Sequence, residues 1–237
     1  MIEFRKYQLK IAQKLLFEVS DWKIEAGNIY FLLGKNGCGK STFLRSLLQP
    51  NDTDTLRIDG KAMRQWHPKE LAQKIAYVSS KLPQNDYTTV FDFLLLGRYP
   101  YGMSLFGASE TARQRVAETL ELLHIGDLGE RFLTQLSDGQ QQLVAIGRAL
   151  VQEVEYLLLD EPTAFLDYLN KRKLWALIGQ ICKERKIAIV VVTHDLESAS
   201  DLMQNISYVD VRQKKLVTLV TREQFPTEEL LVEIYGE

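Results

Sequence analysis

The chain of 237 residues has little cysteine, no long apolar run and no excess of either charge. Its two cysteines, Cys38 and Cys182, sit in unrelated contexts without metal-ligand spacing, so a reducing compartment is the simpler setting. The longest apolar runs, Tyr156–Leu159 and Ile187–Val192, fall short of the roughly 20 residues that span a bilayer. They have the length of buried strands. The opening segment MIEFRKYQLK mixes charge throughout and lacks the apolar core of a signal peptide, so the chain is expected to stay in the cytoplasm. A formal net charge of −2 gives no footprint for nucleic-acid binding and no polybasic membrane anchor. No repeat or low-complexity segment stands out. The tail from Ser207 to Glu237 carries no readable motif. It is expected to complete a sheet edge and to add a short helix over Glu228–Tyr235, leaving nothing to build an extra regulatory domain.

What is present is an alternation of apolar runs and helical patterns, which predicts an α/β protein with parallel strands. Strands are expected over Asn28–Leu33, Leu56–Ile58 (followed by an Asp59-Gly60 turn), Ile75–Val78, Tyr156–Asp160 and Ile187–Thr193. A helix is expected over Ser41–Gln49, with Phe43, Leu44, Leu47 and Leu48 on one face and Pro50 closing it. After Val78 the segment SSKLPQNDYTT reads as a polar connecting loop. From Val90 to Gln152 the pattern is helical: Val116, Leu120 and Leu123 share one face, and Leu143, Ile146, Gly147 and Leu150 another. The organisation expected is a single domain over 1–237, with an α/β core from 1–84 and 153–237 and an inserted helical subdomain at 85–152.

GKNGCGKST, from Gly34 to Thr42, has the spacing of a phosphate-binding loop and lies between an expected strand and an expected helix. Glycines there let backbone N–H groups close around a phosphate, and the helix start adds a favourable dipole. Asn36, Gly37, Cys38, Gly39, Lys40, Ser41 and Thr42 are the candidate nucleotide-binding residues. Lys40 is placed to reach the β- and γ-phosphates, and the Ser41 hydroxyl to ligate Mg²⁺. Cys38 has two readings: a thiol of lowered pKa, reactive when nucleotide is absent, or a small residue that fits the loop. Tyr156-Leu157-Leu158-Leu159-Asp160-Glu161 places two acids at the end of an apolar strand, pointing to opposite faces. Asp160 suits the Mg²⁺ site, and Glu161 suits positioning and deprotonating an attacking water.

Four segments in order resemble the ATP-binding cassette (ABC) ATPases over nearly the whole chain: the phosphate loop, LSDGQQQ (Leu136–Gln142), DEPTAFLD (Asp160 to the D-loop acid Asp167) and Thr193-His194-Asp195. LSDGQQQ is similar to the family signature LSGGQ. The resemblance implies a P-loop NTPase fold, with a RecA-like parallel core, an N-terminal antiparallel β subdomain and an inserted α-helical subdomain. It implies two subunits, a homodimer, sandwiching two Mg-ATP, each held by one subunit's phosphate loop and the other's signature. Ser137 and the Gly139 backbone would then contact the γ-phosphate across the interface, with Gln140 beside them. Glu161 would be the catalytic base, and His194 would contact the γ-phosphate. The implied partners are transmembrane permease subunits and a substrate-binding protein, with this subunit peripheral on the cytoplasmic face of the inner membrane. Val90–Pro100 (VFDFLLLGRYP) is similar to importers of iron-siderophore, haem and cobalamin. An exporter ATPase, a soluble ABC protein and a catalytically dead regulatory cassette are the alternatives.

Four positions depart from the family pattern. Ser79-Ser80 stands where proline and the sensing glutamine usually follow the strand. Ser80 could hold a water but reaches less far, and Gln84 could substitute only if the loop bends. Asp138 replaces the first signature glycine, and a helix-capping role with its carboxylate turned from the nucleotide is expected. Leu143 replaces an arginine. No aromatic residue stands near Lys10–Ala12 to stack on adenine. Tyr7 is the nearest, out of register, and an aliphatic or lysine-stem contact is the alternative.

Overall fold

The computed structural model describes residues 1–51, 53–80, 87–102, 108–194, 202, 204–219, 232, 234 and 235. Twelve strands are described: β1 (Ile2–Phe4), β2 (Tyr7–Ile11), β3 (Lys14–Val19), β4 (Trp22–Ile24), β5 (Ile29–Leu33), β6 (Leu56–Ile58), β7 (Lys61–Ala62), β8 (Ile75–Val78), β9 (Tyr156–Asp160), β10 (Ala188–Val192), β11 (Asn205–Asp210) and β12 (Lys215–Thr218). The α-helices are α1 (Lys40–Ser46), α2 (Pro68–Ala72), α3 (Val90–Leu95), α4 (Glu110–Leu122), α5 (Asp138–Val151) and α6 (Tyr168–Arg185). All of α3, α4 and α5 fall between β8 and β9 in the chain.

The larger sheet has the order β2-β3-β12-β11-β5-β10-β9-β8, and a second sheet, β4-β1-β6-β7, is antiparallel. In the larger sheet β11, β5, β10, β9 and β8 pair in parallel. These strands are apolar on both faces, and their side chains alternate between two cores. Tyr30, Leu32, Leu158, Val190 and Val192 point to a core shared with α1 and the antiparallel sheet. Phe31, Leu33, Leu157, Leu159, Ile189 and Val191 point to a core shared with α3 to α6. Burial on both faces is why these strands read as continuous apolar runs rather than alternating ones.

Helix α1 is held by one ring. Phe43 is fully buried and packs 5.4–6.3 Å, centroid to centroid, from Phe4, Tyr7, Phe17 and Trp22. Aromatic contacts of this kind contribute about 0.5–1.5 kcal/mol each beyond area burial. They tie the start of α1, and so the loop before it, to the antiparallel layer.

The tail does not complete a sheet edge, contrary to the sequence expectation. β11 lies inside the sheet, between β5 and β12, and β12 joins it to β3. The edges are β2 and β8. β11 (Asn205–Asp210) is nearly fully buried, which is the pattern of an interior strand. Most of the helix expected over Glu228–Tyr235 lies outside the described residues; Val232, Ile234 and Tyr235 are helical.

Candidate functional site

Four neighbouring parallel strands deliver the candidate residues at their C-terminal ends. β5 ends at the phosphate loop, β10 leads to His194, β9 ends at Asp160 and β8 leads to Ser79-Ser80. Leu32 pairs with Val192, and Val192 with Asp160, so these ends are level across the sheet. Ligand crevices of open α/β sheets form at such carboxyl ends.

The loop conformation depends on Gly39, which has φ +106°, a region that L side chains rarely adopt. A Cβ there would lie 2.8 Å from Leu16 Cδ1. Lys40 is buried, and its ammonium donates to the carbonyl oxygens of Gly34 (2.6 Å) and Lys35 (2.9 Å). The cation is therefore folded onto the loop that it closes. Asn36 and Gly37 are exposed, while Gly39, Ser41 and Thr42 are half-buried. Burial pushes the Cys38 thiol above its ordinary pKa, and the nearby Lys40 offsets only part of that. The reading of Cys38 as an activated thiol is thereby corrected, because desolvation of a thiolate outweighs the helix end and the lysine.

Asp160 is buried, and both its oxygens accept hydrogen bonds. Ser41 Oγ donates to Oδ1 at 2.9 Å, and Tyr77 Oη donates to Oδ2 at 2.7 Å. Arg45 Nε in turn donates to Tyr77 Oη at 3.2 Å. Burial, followed by the hydrogen bond to Asp160, raises the Tyr77 phenol to about 12, so it is a neutral donor. Sequence reasoning passed over Tyr77. The available signal was parity: Tyr77 pairs with Leu158 and so shares a face with Asp160 two residues on.

β9 ends at Asp160, so strand alternation does not place Glu161. Instead its backbone turns to φ +52°, a left-handed conformation that costs a non-glycine residue about 1–2 kcal/mol. Its amide donates to Val192 O at 2.8 Å. The turn brings Glu161 Oε2 to 2.9 Å from His194 Nδ1 and to 3.4 Å from the His194 amide nitrogen. The candidate base and the candidate switch histidine are thus in direct contact.

The signature residues make their contacts elsewhere. Ser137 is the N-cap of α5: its Oγ accepts from Gln140 N at 3.4 Å, while Gln140 Oε1 accepts from Ser137 N at 3.0 Å. This reciprocal capping box leaves Asp138 as the first helical residue, exposed to solvent. The expected capping role of Asp138 is therefore corrected: Ser137 caps, and Asp138 has only the favourable dipole position. Ser137, Gly139, Gln140 and Leu143 line a groove of about 690 Å³ against Leu166 and Asn170. Asp167 caps α6, accepting from Asn170 N at 2.8 Å.

The GRYP segment is partly structural. A Cβ on Gly97 would stand under 3.0 Å from the Arg148 carbonyl oxygen of α5. Arg98 donates to Val151 O and Tyr101 to Gln152 O, both at 2.9 Å. Tyr99 is 72% exposed, whereas Tyr101 is tied to α5 by its hydroxyl, and the Arg98 guanidinium lies 3.9 Å from its ring centroid. Phe106, Gln84 and Asp195 lie outside the described residues. Tyr7 is buried, with its hydroxyl on Ser46 Oγ at 3.0 Å, and so offers no exposed ring. At the expected adenine position Ile11 is half exposed. A cleft of about 730 Å³ near it is lined by Lys10, Thr42, Arg45 and Gln49.

A glycine-rich loop between strand and helix, with a buried lysine, a serine bonded to a strand-end aspartate and a glutamate beside a histidine, defines the class of P-loop nucleoside triphosphatases. The ABC transporter family profile matches residues 17–164. The chain belongs to the ABC transporter family, as an ATP-hydrolysing subunit. It is 30% identical to the petrobactin import ATP-binding protein FpuD of Bacillus anthracis, over 99% of this chain and 86% of that protein. It is 29% identical to the ferric enterobactin transport ATP-binding protein FepC of Escherichia coli, over 95% and 82% of the two chains. Among solved structures it is similar to the bacterial ABC transporter cassette MJ0796, described as dimeric, with a TM-score of 0.71 at 27% identity over 88% and 94% of the two chains.

Proposed function

We propose that this chain powers an importer of iron-siderophore, haem or cobalamin-type substrates by hydrolysing Mg-ATP between two copies of itself. The observation that carries the reading is the meeting of Ser41 with Asp160 and of Glu161 with His194 at the level ends of adjacent strands. The oxygen donors of Ser41 and Asp160 suit a hard cation: Ser41 gives its proton to Asp160 and keeps its lone pairs. Among the described residues no cluster of three His, Cys, Asp or Glu could hold a metal. Mg²⁺ takes one or two protein ligands and completes its shell with phosphates and water, so Ser41 and Asp160 are enough on the protein side.

In this proposal the loop amides from Asn36 to Thr42 surround the β-phosphate, and Lys40 exchanges its carbonyl partners for phosphate oxygens. When bound, Mg²⁺ would supply neutralisation of the charge on the β- and γ-phosphates. Glu161 accepts the proton of the attacking water, and His194, bound to Glu161 through Nδ1, presents its other nitrogen to the γ-phosphate. Ser137, Gly139 and Gln140 complete the partner subunit's site. Exposed Phe165, Tyr168 and Leu169, beside Asp167, support burial against that second copy. The cleft beside Thr42 takes the adenosine against aliphatic stems rather than an aromatic ring.

Import rests on the relatives named for siderophore transport and on VFDFLLLGRYP, where exposed Leu96 and Tyr99 support docking of a permease. A substrate-binding protein would deliver the cargo on the far side. No helix among the described residues is long and apolar enough to cross a membrane. In this proposal the subunit sits peripherally on the cytoplasmic face, against the permease. The proposed organisation remains an α/β core (1–84 and 153–237) with a helical subdomain at 85–152. The test is Glu161→Gln. Phosphate release should fall by roughly 10²–10⁴-fold while Mg-ATP shifts the protein to a dimer on size-exclusion chromatography. A monomer under saturating Mg-ATP would count against the sandwich.

A further inference from the structure

The geometry points to Tyr77 as a positioning residue for the cation site: its hydroxyl fixes the Asp160 carboxylate so that the other oxygen faces Ser41. The inference rests on the reading of Ser41 and Asp160 as the Mg²⁺ site. Asp160 is buried at the end of β9, where an ionised carboxylate needs hydrogen bonds on both oxygens. Ser41 serves Oδ1 and Tyr77 serves Oδ2.

Strand register explains why a tyrosine fills this role. Tyr77 on β8 is level with Leu158 on β9, two residues before Asp160, and on the same face of the sheet. Two strand residues advance about 6.6 Å, which is roughly the reach of a phenol and beyond that of a serine. The hydroxyl has one proton and gives it to Asp160, because its oxygen is already an acceptor for Arg45 Nε at 3.2 Å. Arg45 also lies 5.5 Å from the Tyr77 ring centroid, so the ring is held from both β8 and α1. Hydrogen bonds in such a chain polarise one another. Without the hydroxyl, Oδ2 keeps its charge but loses its partner, and the carboxylate is free to turn from Ser41.

The experiment compares the full-length wild type with Tyr77→Phe, which keeps the ring. Mn²⁺ stands in for Mg²⁺: free Mn²⁺ is followed by electron paramagnetic resonance during titration of the ADP-bound protein. Binding of a fluorescent ADP analogue in excess EDTA is measured in parallel. Tyr77→Phe is expected to weaken Mn²⁺ binding about tenfold, the scale of one hydrogen bond to a charged group. Cation-free nucleotide affinity should stay within about twofold of wild type, since the role inferred for Tyr77 is exerted on the cation through Asp160 and the retained ring still faces Arg45. In an Asp160→Asn background the same substitution should add less than about a further twofold. Unchanged Mn²⁺ affinity, an equal loss in EDTA, or a full additional loss beside Asp160→Asn would each overturn the role. Should the wild type itself bind Mn²⁺ no better than free ADP does, the cation site falls and this inference with it. The wild-type titration alone separates that outcome from a failure of Tyr77.

Discussion

Gly97→Ala isolates what the GRYP segment contributes to the fold. The added Cβ would stand under 3.0 Å from the Arg148 carbonyl oxygen and 3.3 Å from both Gln152 N and Val151 Cβ. The first two are backbone atoms at the end of α5, so no side-chain rotation relieves the clash. Either the 3₁₀ segment Leu96–Tyr101 or the α5 terminus must shift, and both hydrogen bonds joining them, Arg98 to Val151 O and Tyr101 to Gln152 O, then lengthen. Overpacking costs about 1–3 kcal/mol, and each weakened hydrogen bond adds up to about 1 kcal/mol. The middle of the resulting range, about 2–4 kcal/mol, is the expected loss. At roughly 2–4 °C per kcal/mol for a chain of this size, the midpoint should fall by roughly 4–16 °C. Thermal and urea unfolding, followed by far-UV circular dichroism, measure it. Gly126→Ala is the control: it has no positive φ and nothing within 4 Å of its Cβ, and should stay within about 0.5 kcal/mol of wild type. A Gly97→Ala protein as stable as this control would refute the close-approach argument.

Two further outcomes follow from the site. The raised pKa of Cys38 means less thiolate at neutral pH. Its alkylation by iodoacetamide, read by peptide mass spectrometry, should be slower than that of a free thiol at pH 8 and should still be climbing above pH 9. A rate at or above the free-thiol value would show an activated cysteine. Asp138→Gly should lower stability by about 0.3–1 kcal/mol through loss of a first-turn acid and leave the ATPase rate within about threefold, because Ser137 holds the cap. A rise well beyond that in a phosphate-release assay would mean that the aspartate opposes the nucleotide.

Much of the fold was legible because its signals are local. The strand Leu56–Ile58, the strand Ile75–Val78 and the strand Tyr156–Asp160 match expectation to the residue, the first an alternating Leu-Arg-Ile before a turn and the other two short, largely apolar runs. Phe43 and Leu44 on α1, and Leu47 at its C-cap, are fully buried, as the helical period requires. The tail was misplaced because edge and interior strands differ in what they pair with, which one sequence does not express. Asp138 was given the cap although Ser137, one residue earlier, supplies the hydroxyl, since caps depend on where the backbone enters the helix.

By itself, then, the sequence determined the phosphate loop, the strand-end acids, the order of the family segments and the α/β class, all of them patterns within a few consecutive residues. Tertiary structure alone decided which residues meet. Ser41 and Tyr77 converge on Asp160 from 119 and 83 residues away, and His194 meets Glu161 across 33. Those meetings follow from the order in which β5, β10, β9 and β8 lie side by side. The physical reason is that spacing along a chain fixes periodicity and local turns, whereas contact between strand ends depends on crossovers that bring distant segments level.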